Sequence, residues 1–273
     1  MTEINIGAII NFYKELPSLG ILITSQFKSS LFSNFSRFVI YPLVIMEKIT
    51  YNLILKNGKE YAFEVDIDRP DHTEKTNNEI HAFWTKLDYH QCSNCPLQIL
   101  SHTHCPVALD IEEIARKFED IASIEQANVW VHSKNRSYFK NCDVQEALKS
   151  LFGLSMASGC CPILSRLKPL VYFHLPFASQ DETLHHLVGM YLIKQYLIHR
   201  EGKTDPDWDL KGIEKLYEEL ETVNVHLMER LRNASKKDAN ANAFYIFVTL
   251  TSLIVMNIKT MLGVFEPIVR KGL

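Results

Sequence analysis

The dipeptide Asn57-Gly58 separates two runs of alternating apolar residues, and this arrangement restricts the fold more than any other stretch of the 273-residue chain. Before it, Ile49, Tyr51, Leu53 and Leu55 recur at every second position. After it, Tyr61, Phe63, Val65 and Ile67 do the same. Period-two alternation places one set of side chains on one face of a strand, and Asn-Gly accepts the positive φ angles of a tight connection. The segment predicts an antiparallel hairpin with one apolar face that a second layer must cover. Residues 69–80 are polar, contain Pro70 and read as a loop, and Phe83 to Tyr89 reads as a third strand.

Helical spacing then takes over. Pro106 suits a first helical position, where no amide hydrogen is needed, and Val107, Ile111, Ile114, Phe118 and Ile121 follow at helical intervals. Ala127 to His132 alternates again, Lys134-Asn135-Arg136 reads as a turn into Ser137–Phe139, and Asp143 with Glu146 has the spacing of a capping box for a helix through Phe152. From Cys161 the chain reads as helical. Pro169 is expected to kink or end the first of these helices near Lys168. Ser179 with Glu182 is a second capping box, followed by Leu184, Leu187, Val188, Tyr191 and Leu192 on one face and stopped by Gly202. Ile213, Leu216, Tyr217, Leu220, Val223, Leu227 and Leu231 form a further stripe. Asp238 is placed to cap a last helix, apolar nearly all round from Phe244 to Leu262, for which a central, buried place is expected.

The expected class is α+β: an antiparallel sheet with one or two helices and a Cys-rich metal knuckle over residues 46–155, then a helical bundle over 156–273 packed on it. Residues 1–45 differ from the rest, with five Phe, six Ser and few charges. Met46 directly precedes the first strand and reads as a natural start, so residues 1–45 are expected to be a poorly structured or non-native extension. No basic start with an apolar run marks a secretory signal.

Composition excludes some classes. Apolar residues make 47% and charged residues 22%, which is globular rather than disordered. With 29 basic and 32 acidic residues, net −3, bulk charge does not hold this chain on nucleic acid. Ala243 to Met256, the longest apolar stretch, is short and interrupted by Thr and Ser, so no membrane span is expected. The expected partner is a protein or a small molecule.

The six cysteines all follow residue 90. Without a secretion signal they are expected to be reduced thiols in a cytoplasmic protein, where clustered spacing favours metal over disulfides. Cys92-x2-Cys95 lets two thiolates reach one ion from a tight turn, Cys105 is a natural third ligand, and zinc takes four ligands of sulfur or imidazole. The fourth position is open between Cys161, His102, His104 and His174. Cys161 shares a context with Cys95 and Cys105, because each precedes proline, which holds the residue before it extended. Cys105 and Cys161 would each sit at a helix start, where the dipole favours thiolate. The assigned set is Cys92, Cys95, Cys105 and Cys161, with zinc as a structural cofactor. A redox role for Cys92-x2-Cys95 is the competing reading, although no βαβ unit surrounds it. Cys142 reads as structural.

Other candidates are weaker. His174 reads as a ligand, a general base or a satisfied histidine at a helix junction. Glu182-x2-His185 lacks the second copy that a di-iron site needs. Asp238-x-Asn240-x-Asn242 lacks the Gly and Glu of a calcium loop. Asn224, Asn240 and Asn242 read as hydrogen-bonding groups between helices. Arg230-Leu-Arg232 with Lys236 and Lys237 reads as a solvated helix end. There is no phosphate loop, nucleophile elbow or His-Glu-x2-His motif.

In order, Phe83-Trp-Thr-Lys-Leu87, Gln91-Cys-x2-Cys-Pro-Leu97, Cys105-Pro, Leu151-Phe-Gly-Leu-Ser-Met-Ala157, Cys161-Pro, His174-Leu-Pro-Phe177 and Asp238-Ala-Asn240 resemble an uncharacterised bacterial family, a domain of unknown function. The resemblance spans about residues 47–260 and brings no activity. It implies that the Cys-Pro positions and His174 belong to the shared pattern, which favours Cys161 as the fourth ligand. That pattern has a single cysteine before the proline at position 162, so Cys160 is a departure from it. The function expected is a zinc-stabilised binding or regulatory protein. The first alternative is a zinc hydrolase using His174 or Glu182 as base, and the second is a thiol redox protein.

Overall fold

The hairpin forms where the alternation places it. In a computed structural model that describes residues 47–69 and 80–271, β1 (Lys48–Leu55) and β2 (Glu60–Asp66) pair antiparallel, with Tyr51 opposite Phe63 and Leu53 opposite Tyr61. Gly58 alone takes the positive φ, at 82°. The Leu55 amide donates to Lys59 and the Gly58 amide to Leu55, so the connection is a turn plus a bulge rather than a two-residue loop. The extension expected over residues 1–45 lies outside the described residues.

β1 is flanked on its other edge by β3 (Gln126–His132), which pairs in turn with β4 (Ser137–Asp143), giving an all-antiparallel order β2-β1-β3-β4. Tyr51, Leu53 and Leu55 stand opposite Val131, Val129 and Ala127, and all six are buried. One continuous apolar face results. It is closed by α1 (Pro106–Lys117) and α2 (Val144–Ala157), with α2 against β3 and β4 and α1 beside α2. Each fully buried leucine or valine of this face contributes about 1.5–3 kcal/mol. Phe83 to Tyr89, expected as a third strand, is a 3-10 turn over Phe83–Thr85 followed by loop, with an isolated bridge between Lys86 and His104 in place of a strand ladder. Its carbonyls are spent on a side chain described below, which leaves no ladder to extend.

Beyond α2 the chain is helical, in the order expected. The segment after Cys161 is a 3-10 turn (Leu164–Leu167) running into the short α3 (Lys168–Val171). Pro169 lies in the first turn of α3, so it starts a helix where it was expected to end one. α4 (Gln180–Arg200) opens with the Ser179–Glu182 capping box, both bonds present, and Gly202 at φ 69° follows its end. The Asp143–Glu146 box does not form. Asp143 accepts from the Gln126 side chain, and Glu146 pairs with Lys140.

α5 (Lys211–Ala234) buries the predicted stripe of Ile213, Tyr217, Leu220, Val223, Leu227 and Leu231. α6 (Ala239–Leu262) lies along it, and the 3-10 turn Gly263–Phe265 leads into the short α7 (Glu266–Val269). Asp238 precedes α6 but does not cap it. Its carboxylate instead accepts from the Ser123 amide and hydroxyl, 2.9 Å each. The central position expected of α6 is not observed. Ala243, Phe244, Ile254 and Ile258 are buried, while Tyr245, Leu253 and Met256 face outward. Its window Ala239–Met256 has mean hydropathy 1.5 and is long and apolar enough to cross a membrane by length and composition. Here that helix carries polar contacts to α5: Asn224 donates to Thr251 at 2.8 Å, and Ser252 bonds Glu221 at 2.5 Å. Asn240 reaches the Ala115 carbonyl at 2.9 Å, linking α6 to α1. All described residues fall within one unit, so the two parts expected from the sequence share a core.

Candidate functional site

Three stretches of chain bring cysteines within electrostatic reach of one another. Cys92 and Cys95 flank a turn closed by the Cys95 amide on the Cys92 carbonyl at 3.0 Å. Asn94 in that turn donates to the Glu219 carbonyl of α5 at 3.0 Å, fastening the Cys92–Cys95 turn to α5. Cys105 precedes Pro106 at the start of α1 and is buried, and its own amide is held by the Thr85 carbonyl at 2.7 Å. Cys161 precedes Pro162 before the 3-10 turn.

These four thiols act on one another electrostatically. Burial pushes Cys92 up to about 12, helped by the charges of Cys105, Cys161 and Cys95. Burial likewise pushes Cys161 up to about 11, with Cys105 and Cys95 adding to it, and raises Cys105. The helix-start geometry read from the two Cys-Pro pairs is present: the Val107 and Ala108 amides bond Cys105, and the Ile163 and Leu164 amides bond Cys161. These bonds favour thiolate, but desolvation outweighs them. As placed, no group of three or more His, Cys, Asp or Glu side chains among the described residues is arranged to hold a metal ion.

Beside the thiols lies a residue that the sequence reading misplaced. Arg230, expected on a solvated helix end, is 1% exposed. Its guanidinium donates to the carbonyls of Trp84, Lys86 and Leu87 at 2.6, 2.7 and 3.1 Å, binding α5 to the segment before the Cys92–Cys95 turn. Its Nε has no partner, and no carboxylate among the described residues pairs with it. Its charge draws Cys92 and Cys105 toward thiolate, against the larger effect of burial. The signal was present in the sequence, since Arg230 falls on the apolar stripe three residues after Leu227. Arg232 and Lys236 are exposed, as expected.

The other candidate ligands have different partners. His104 bonds the Thr85 hydroxyl at 2.8 Å and His102 bonds Ser101 at 2.9 Å. His174 contacts the Tyr51 hydroxyl at 2.6 Å, and burial lowers it to about 4. Glu182 is held in its capping box, which keeps its carboxyl below the usual range. Of the vicinal pair, Cys161 joins the thiol group whereas Cys160 bonds Arg69, the partner of Asp110. Cys142 is buried on β4.

Residues 49–269 match the family described as a domain of unknown function, DUF6901. The chain belongs to that family. No curated protein matches it, and no solved structure does. The DUF6901 match covers the sheet, the thiol group and the helices through α7, and begins after the first 45 residues.

Proposed function

We propose that this protein is a non-catalytic binding or regulatory protein whose knuckle is fastened to its helical part by a structural zinc ion held by Cys92, Cys95, Cys105 and Cys161. The observation that supports this reading is the electrostatic coupling of four thiols from three chain segments beside a buried arginine that pairs with no carboxylate among the described residues. A buried cation without an anion costs several kcal/mol. Four thiolates on one divalent ion carry a net charge of −2, which offsets Arg230. The mutual repulsion and desolvation that raise these thiols are what a divalent cation relieves. Amide bonds to Cys105 and Cys161 suit metal-bound sulfur, since such bonds orient and stabilise thiolate ligands.

The same raised thiols weigh against a redox role, which needs an exposed, low-pKa cysteine. A cytoplasmic, reducing compartment suits the zinc reading. The test is elemental analysis of the full chain with chelator competition at two pH values. About one zinc per chain is expected, lost in Cys92→Ala and Cys161→Ala, with affinity rising from pH 6.5 to pH 8 because binding displaces thiol protons. A chain that takes up no zinc while all six thiols react freely refutes the reading.

A further inference from the structure

A separate cavity of about 200 Å³ lies among α2, α3, the start of α4, α5 and α6. Most of its wall is apolar, including Leu154, Leu167, Leu220, Phe247 and Leu250. Its polar groups include Lys149, Ser150, His174 and His186, and no Asp or Glu among the described residues lines it. An apolar enclosure with a few convergent polar groups is the usual form of a small-molecule site.

The hydrogen bonds around His174 define what it presents. Ser150 Oγ accepts from the Phe177 amide at 3.2 Å and contacts Tyr51 Oη at 2.7 Å, which contacts His174 Nε2 at 2.6 Å. If Ser150 donates to Tyr51 and Tyr51 donates to His174, every hydroxyl hydrogen has an acceptor. The reverse order leaves the Ser150 hydrogen without one. In the satisfied order Nε2 accepts and the ring hydrogen sits on Nδ1. Burial keeps the ring neutral. The chain Ser150–Tyr51–His174 therefore fixes a donor at the cavity wall. His186 adds a buried Nε2 with no partner, and it lies near enough to His174 to act on that ring's charge. Lys149 spends one hydrogen on the Ala178 carbonyl at 3.1 Å and has two more to give.

We propose that this cavity binds a small monocarboxylic acid with an aliphatic or aromatic body. The carboxylate is received by His186 and His174, with Lys149 as countercharge, and the body lies against Leu154, Leu220 and Phe247. The absence of any acidic group from the wall favours an anion over a cation. The volume limits the ligand: a cavity of about 150 Å³ accepts benzene, so this one takes roughly eight to ten non-hydrogen atoms. The site is independent of the thiol group and stands whether or not zinc binds there.

The experiment is calorimetric titration of the full chain with hexanoate, benzoate and the uncharged isostere hexanamide. His186→Leu removes the unpartnered nitrogen without breaking a hydrogen bond seen here. Ala157→Leu, on the cavity wall, fills the space, and circular dichroism confirms that each variant folds. Hexanoate or benzoate is expected to bind at least roughly tenfold more tightly than hexanamide, and both variants are expected to lose that binding. The proposal is overturned if neither acid binds at millimolar concentration. It is also overturned if the amide binds equally well, or if a folded variant of either kind binds as the unaltered chain does. Should Ala157→Leu not fold, His186→Leu alone decides.

Discussion

His174 enters the folded state as a neutral imidazole. Its folded pKa of about 4 lies below the value near 6.5 of an unfolded histidine, so the unfolded chain binds the proton more readily. Stability contributed by this group is therefore complete above about pH 6.5 and is lost as pH falls toward 4. Denaturant titration at pH 7 and pH 5 is expected to show a loss of about 2 kcal/mol from this residue, and His174→Gln is expected to flatten that part of the profile. An unchanged pH dependence in the variant would show that the shift lies elsewhere. Tyr51 was legible as a core position from alternation alone, but its hydroxyl contacts to Ser150 and His174 join residues 99 and 123 positions away, which no local pattern records. Arg230 makes the same point in reverse. Its position on an apolar stripe was visible, but a charged residue reads as solvated until a set of backbone acceptors is seen around it.

The two capping boxes, alike in sequence, have different outcomes as elements. Ser179 and Glu182 close theirs because that helix start faces solvent and nothing else competes for the side chains. Asp143 ends a strand as well as preceding α2, and the strand-side partner Gln126 takes its carboxylate. Ser179→Ala is accordingly expected to lower stability by about 1 kcal/mol, measured as a shift in the urea midpoint at constant slope. Glu146→Gln is expected to leave α2 intact by circular dichroism, since its partner is Lys140 and not a helix amide. A helix loss in the second variant, or no change in the first, would contradict these assignments. The misread third strand has a related cause. Phe83 to Tyr89 has strand composition, but its carbonyls at 84, 86 and 87 serve Arg230.

For the whole molecule, the segment from Trp84 to Cys95 is tied to α5 by hydrogen bonds from Asn94 and Arg230 beside the buried Trp84 and Leu87. If zinc is bound as proposed, its removal with a chelator is expected to raise amide exchange over residues 86–105 more than in β1 and β3, whose ladders are held by backbone pairing and apolar burial. Uniform loss of protection would instead make the ion part of a single folding unit. Sequence alone determined the hairpin, the apolar faces, the helix order and the α+β class, because these follow from periodicity within one segment. It also pointed to the four cysteines as candidate ligands, because Cys-x2-Cys and Cys-Pro are local motifs. Only the tertiary structure decided that Arg230 is buried beside them, that α6 keeps an outer face, and that a cavity opens beneath His174 and His186. Those outcomes depend on which segments distant in sequence compete for the same carbonyls, hydroxyls and apolar surface.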